Sequence, residues 1–471
     1  MKRLILVAVA ALTALSISAI AEISQVHLGW SQNDVYRTMT VLWHADEDSV
    51  HGVWFDEQSQ PTGAGYGSLK DVTGTVVQPS TAPNGAPIST TPFSGTYYRA
   101  ELTGLDAGTT YYFRIENMDT HEITQEWSFR TIDLDQEIAF AFAGDSQRPY
   151  ETPEGEFGQL LTNPVSPSNW PFMRDFITQR VASADVDFML ALGDFVARGT
   201  KQEQWANWFE AWQEHAVTDE GRMIPIVAVA GNHDMSGYPN VDASYEWFLG
   251  QFAIPDSGIG VPCYSLDFPN LHLTVLSATT GQVASDWDCA YAEAQEQIGW
   301  LEDDLESTSA DWKLVAFHYN YLGSFEFCTG YPSDCYMAAW TEALQSFGVD
   351  VVFMGHTHNY TRSWPVVLSN DGRCTASACS ADLMKASEDG ITYIVSGTWG
   401  GPTSIIQEGA PSAIRYWIAA AAAHPCVGFA RLEDKKLKIG VLDTAGTIID
   451  TFTLPYTTWS FPTPDYTHRI P

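Results

Sequence analysis

Basic residues are scarce in this chain: 23 Lys and Arg stand against 58 Asp and Glu in 471 residues, a formal charge of −35. That balance excludes the cationic footprint nucleic acid requires and the Lys/Arg clusters that dock proteins on anionic lipid. A solvated acidic surface follows instead. Long apolar runs are equally scarce. After residue 21 nothing approaches the ~18 continuous apolar residues of a membrane span, and the Ala-rich patch from Ile418 to Ala423 is far too short. The seven cysteines contain no CxxC spacing, which argues against a thiolate zinc site. Core-forming material is plentiful. Hydrophobic residues make up 45% and charged residues 17%, so the chain is globular rather than disordered. At roughly 100–200 residues per domain its length allows two to four domains.

The N-terminus suggests a compartment. Lys2 and Arg3 precede the apolar run Leu4 to Leu15, and Ala19-Ile20-Ala21 supplies small residues for cleavage. Residues 1–21 read as a secretory signal peptide, so the expected location is secreted or periplasmic, with no membrane attachment after cleavage. Disulfides suit that compartment. Proximity pairs Cys328 with Cys335 and Cys374 with Cys379, allows Cys263 with Cys289, and leaves Cys426 over. Sequence alone does not fix the connectivity.

Texture changes near residue 133. From Glu22 to Thr131, short alternating runs such as Thr38 to Trp43, Tyr97 to Leu102 and Thr110 to Ile115 are separated by Gly/Pro/Asn-rich stretches. This predicts a small all-β sandwich over residues 22–133. The stretch from Gly104 to Arg114 resembles the strand-turn-strand region of a fibronectin type III-like module. Residues 134–455 alternate apolar runs with helix-like stretches, which predicts a layered α/β domain. Trp205, Trp208 and Trp212 lie on one helical stripe, and Gln297 to Leu305 reads as an amphipathic helix. A closing hairpin is expected over Val427 to Leu432 and Leu437 to Thr453, followed by a tail, residues 456–471.

Five apolar runs each stop at metal-capable residues. Ile138 to Ala143 is followed by Gly144-Asp145-Ser146-Gln147, and Val186 to Leu192 by Gly193-Asp194. Ile224 to Ala230 leads into Gly231-Asn232-His233-Asp234, Lys313 to Phe317 into His318, and Val349 to Met354 into Gly355-His356-Thr357-His358. Ligands gathered beyond the carboxyl ends of strands are where an α/β sheet builds its site. The N and O donors of Asp145, Asp194, Asn232, His318, His356 and His358 suit Zn, Fe or Mn better than Ca. No role falls to the other histidines apart from His233. His272, inside the apolar run Leu271 to Leu276, reads as strand filler.

This ordered set resembles the calcineurin-like metallophosphoesterase superfamily, and the preceding β-sandwich makes it most similar to the purple acid phosphatase branch. Gly355-His356-Thr357-His358-Asn359-Tyr360-Thr361-Arg362 is close to that branch's GHxHxYER run, and Tyr393 to Gly400 resembles its later strand-turn. The resemblance implies an α/β/β/α catalytic domain and two metal ions, of Fe, Zn or Mn. Asp145, Asp194 and His358 would hold one ion. Asn232, His318 and His356 would hold the second, with Asp194 bridging. His233, supported by Asp234, would contact the phosphate and assist the leaving oxygen.

The implied activity is hydrolysis of small phosphate esters, monoesters first, by a metal-bridging hydroxide. A phosphodiesterase and a non-catalytic binding protein are the alternatives. Arg148 and Arg362 are candidate phosphate contacts. Two departures from the branch stand out: Ala197 replaces its tyrosine ligand, and Gln147 occupies the position where many superfamily members carry a histidine. Gln147 is expected to ligate the first metal through its side-chain oxygen.

Overall fold

The computed structural model describes residues 23–60, 65–73, 94–147, 161–163, 170–235, 245–279, 287–320, 333–368, 384–386, 390–400, 403–404 and 418–455. The N-terminal part is a sandwich. Ser24–Gly29, Thr38–Ala45 and Thr96–Thr103 form one sheet, and Ser68–Thr73, Val50–Asp56, Thr110–Asn117 and Trp127–Arg130 the other. Thr110–Asn117 buries every second residue, as a strand with one wet face must.

Two mixed sheets stack in the second domain. One runs in the order Ile226–Ala228, Phe188–Ala191, Ile138–Ala143, Cys426–Glu433, Lys436–Asp443 and Ile448–Leu454. The other runs Tyr264–Phe268, Leu271–Val275, Trp312–Phe317, Val351–Met354, Thr392–Ser396, Tyr360–Ser363 and Ile418–Ala422. The five apolar runs are all parallel-paired strands of these sheets, as are Leu271–Val275 and Thr392–Ser396. The five runs lack polar alternation because both faces are covered. Phe140 and Phe142 point between the sheets onto Phe353, while Ala141 and Ala143 face a separate core with the helices Trp170–Ser183 and Gln202–His215. Trp205, Trp208 and Trp212 are buried in that second core. Val315, Phe317, Val352 and Met354 face outward onto the helices Trp287–Ser307 and Ser333–Ser346. The layers are therefore α/β/β/α behind an all-β sandwich.

Three expectations need amendment. The closing hairpin is a three-stranded meander, because Asp443 caps a turn at Gly446 and Thr447 that splits the second run. Cys263 is a free thiol directed at Ser257 Oγ, 3.3 Å away, so it does not pair with Cys289. Cys426 is also free and buried. Cys328, Cys374 and Cys379 lie outside the described residues, as do residues 1–21 and 456–471, and the side chain of Cys335 is likewise undescribed. His272 is no filler: its ring nitrogens meet Asp267 at 2.7 Å and Asp304 at 3.0 Å, and Asn33 of the sandwich donates to Asp267. Among the described residues, no helix is long and apolar enough to cross a membrane.

Candidate metal centre

Backbone strain marks the strand ends. Asp145 (φ 60°), Asp194 (φ 55°) and His356 (φ 66°) all sit in the left-handed region, which non-glycine residues rarely occupy. Such conformations persist only where surrounding contacts over-determine them. Here the loops stitch one another: Asp145 N donates to Gly193 O (2.8 Å), Gln147 N to Asp194 O (3.0 Å), and His356 N to Asp145 Oδ2 (2.9 Å). Two glycines permit the close approach. A Cβ on Gly231 would fall 2.3 Å from Asp194 Oδ1, and one on Gly397 would fall 2.7 Å from Asp145 Oδ2.

The side chains form two donor groups that share one carboxylate. Asp194, His318 and His356 each bring a ligand atom within 4.8 Å of the others, and so do Asp145, Asp194 and His358. Asn232 Oδ1 lies 3.1 Å from both His318 Nε2 and His356 Nδ1, and Asp194 Oδ2 lies 3.3 Å from His318 Nε2. His318 Nδ1 donates to the Leu192 carbonyl at 2.7 Å, which fixes the tautomer and leaves the Nε2 lone pair facing Asn232 Oδ1. Lone pairs gathered this closely repel unless a cation or a proton lies between them. Edges of 3.1–3.3 Å also match the ~3.0–3.4 Å between neighbouring donors on an ion with bonds of about 2.1 Å.

The second group has the same character. Asp145 Oδ1 lies 3.2 Å from His358 Nε2 without hydrogen-bond geometry, and among the described residues the buried Gln147 Oε1 has no hydrogen-bond partner. The Gln147 amide nitrogen stands 3.2 Å from His358 Nε2 and 3.3 Å from Asp194 Oδ2. An amide's two ends exchange by a simple flip. The residues present thus fit a pair of cations, with Gln147 placed at the edge of the Asp145 group.

The carboxylates of the two groups favour positive charge beside them. Burial opposes charge on His318, yet Asp194 beside it lifts its pKa to about 9. Burial likewise opposes charge on His358, and Asp145 pushes it upward. Burial and the charge on His318 hold His356 well below its ordinary value. Burial alone would raise Asp194, but His318 and His233 hold it well below the usual carboxylate range.

His233 stands beside the ligand set. Its Nδ1 faces the Ala197 carbonyl at 3.0 Å, so Nδ1 carries the proton and Nε2 points toward Asp194 Oδ2, 3.9 Å away. Asp234 acts elsewhere than expected. Its carboxylate accepts backbone N–H groups from Asp194 (2.8 Å), Phe195 (2.8 Å), Val196 (3.2 Å) and Gly231 (3.0 Å), so it clasps the loop that carries Asp194. Arg362 is also engaged elsewhere: its guanidinium binds Asp450 at 2.6 Å and lies over Phe452. Arg148 lies outside the described residues. Sequence reasoning gave no individual role to Tyr319 and Asn320, which open the loop directly after His318, or to Gly397, which lies within the Tyr393–Gly400 strand-turn.

Comparison with known proteins agrees with this geometry. A family model for the calcineurin-like phosphoesterases matches residues 138–360, and one for the purple acid phosphatase N-terminal domain matches residues 23–131. Residues 138–360 thus form a calcineurin-like phosphoesterase domain, preceded by a domain of the purple acid phosphatase N-terminal type. Purple acid phosphatase 15 of Arabidopsis thaliana is 24% identical over 288 residues, 57% of this chain and 50% of its own length. An uncharacterized protein of Mycobacterium tuberculosis is 27% identical over 249 residues, 50% of this chain and 45% of its own. The matches thus span about half the length of these relatives. The purple acid phosphatase from yellow lupin seeds superposes with a TM-score of 0.65 at 15% identity, covering 92% of this chain and 74% of its own. PhoD superposes at 0.58 and 12%, covering 92% of both. These two likenesses concern the fold.

Proposed function

We propose that the protein is a secreted two-metal phosphoesterase that hydrolyses small phosphate esters, with monoesters preferred. The observation that supports this most is the pair of donor groups meeting on Asp194. Asp145, Gln147, Asp194 and His358 hold one ion; Asn232, His318, His356 and Asp194 hold the other. Bound there, two cations supply charge neutralisation and an activated water.

The chain's own residues do the rest. His318 is held at Nδ1 by the Leu192 carbonyl, which leaves Nε2 as the atom that would ligate the second ion. His233, held at Nδ1 by the Ala197 carbonyl, would act as the imidazolium, giving the second proton, carried at Nε2, to the leaving oxygen. Asp234 keeps Asp194 in its strained backbone by fixing the loop around it. With Ala197 in the tyrosine position there is no phenolate ligand, so the loaded protein should lack a phenolate charge-transfer band in the visible spectrum. The purple acid phosphatase names of the relatives favour monoesters.

The test is elemental analysis of the purified chain together with hydrolysis of chromogenic phosphate mono- and diesters. Two ions per chain with faster monoester turnover is the expected result. Two ions with no turnover of either ester would move the reading to a binding protein.

A further inference from the structure

The strand ends carrying His318 and His356 are joined by three successive side-chain contacts. Trp312–Phe317 and Val351–Met354 are parallel neighbours, with Phe317 opposite Met354, so the residues that follow them run side by side. The His318 and His356 rings meet edge to face at 5.4 Å. Tyr319 packs on His356 with ring centroids 4.1 Å apart. Thr357 Oγ1 then donates to Asn320 Oδ1 at 2.7 Å.

Thr357 is the link between the two donor groups. His356 belongs to the set with His318, and His358 to the set with Asp145. Its backbone is wound tightly: Thr357 N donates to Gly355 O at 2.8 Å, and Asn359 N to Thr357 O at 2.7 Å. Both close three-residue turns, which are short and weak supports. The buried Thr357–Asn320 hydrogen bond is therefore the side-chain tether of a strained segment. Asn320 is 1% exposed, and its Nδ2 has no hydrogen-bond partner among the described residues. A side chain chosen for packing alone would be apolar or fully paired. The contact that Asn320 does make is the one to Thr357.

The two histidines do not depend on this tether equally. His356 is also held by Tyr319, by His318 and by Asn232 Oδ1. Among the described residues, the His358 side chain makes polar contacts with Asp145 and Gln147 alone, and it is 18% exposed. We infer that Asn320 is a positioning residue: acting through Thr357, it sets His358 for the cation of the Asp145 group and so controls how tightly that one ion is held. The inference rests on the two-metal reading above.

The test is Thr357→Val, which keeps shape and removes the hydroxyl, with metal binding followed by elemental analysis after dialysis against graded Mn or Zn. One cation should stay at wild-type affinity while the other weakens by about 10–100-fold. The remaining ion should match in affinity the one retained by Asp145→Asn. Thr357→Ser should restore the weakened site, which a general loss of packing would not. Asn320→Ala cuts the same bond from the other side and should give the same single-site defect, whether or not Thr357→Val folds. Two cations at wild-type affinity in Thr357→Val or Asn320→Ala would overturn the inference, as would equal loss of both ions. A wild-type chain that binds no cation would overturn the two-metal reading itself.

Discussion

Buried histidines occur at both ends of this molecule, and they are buried for opposite reasons. In the sandwich, His51 stacks on Trp43 and Tyr98, accepts the Trp43 indole N–H at Nδ1 (2.7 Å), and meets Ser49 Oγ at Nε2 (3.0 Å). Because an indole nitrogen only donates, this arrangement requires a neutral ring, and burial lowers its pKa to about 4. At the strand ends of the second domain, His318 and His356 bring ring nitrogens to 3.1 Å from the one Asn232 oxygen, and among the described residues Gln147 Oε1 has no donor. A buried polar group with complementary partners is structure. Buried nitrogen and oxygen donors that converge on one carboxylate have the character of a cation site.

The largest test of that contrast is Asp194→Ala. It should remove both cations and lower turnover at least about 10⁴-fold, because both donor groups contain this carboxylate. Two ions retained per chain would sink the bridging assignment. Next in size, His233→Ala should lower turnover by on the order of 10²–10⁴ with metal content unchanged. Metal loss in that variant would mean His233 is itself a ligand.

Gln147→Ala should weaken one cation by about 10–100-fold, and Gln147→His should restore it. Equal affinities in all three proteins, measured by metal titration, would place the amide outside the coordination sphere.

The smallest effects concern pH. The folded pKa of His51, about 4, lies below the unfolded 6.5, so its contribution is complete above pH 6.5 and is lost as pH falls toward 4. His272 runs the other way. Burial disfavours its charge, but Asp267 and Asp304 lift its pKa to about 9. Its contribution is complete below pH 6.5 and is lost as pH rises through 9. With Asp267 half exposed, the alkaline loss should be on the order of 2 kcal/mol. Urea denaturation across pH 4–10 should show His272→Gln with a flatter alkaline limb and His51→Gln with a flatter acid limb. Parallel curves for either variant and the wild type would refute that histidine's role.

Much of the fold was legible in advance because burial on both faces leaves a plain mark. The runs Ile138 to Ala143 and Val349 to Met354 carry almost no polar residues, which is what a parallel strand between two layers demands. The closing meander was misread because Asp443 to Thr447 turns without proline, and its one glycine sits between Ala445 and Thr447, which do not by themselves mark a turn. His272 was misread because sequence spacing does not show that Asp304, from a helix, reaches its ring.

Sequence alone determined where the principal apolar strands lie along the chain and the residue types at their ends, since these follow from local periodicity and from where apolar runs must stop. Only the tertiary structure decided what those residues touch. It turned Asp234 onto the backbone of its neighbours, joined Arg362 to Asp450, and brought Asn320 to Thr357 across two strand ends. Such contacts join residues 37 to 88 positions apart, and no chain periodicity records which distant partner a polar side chain will meet.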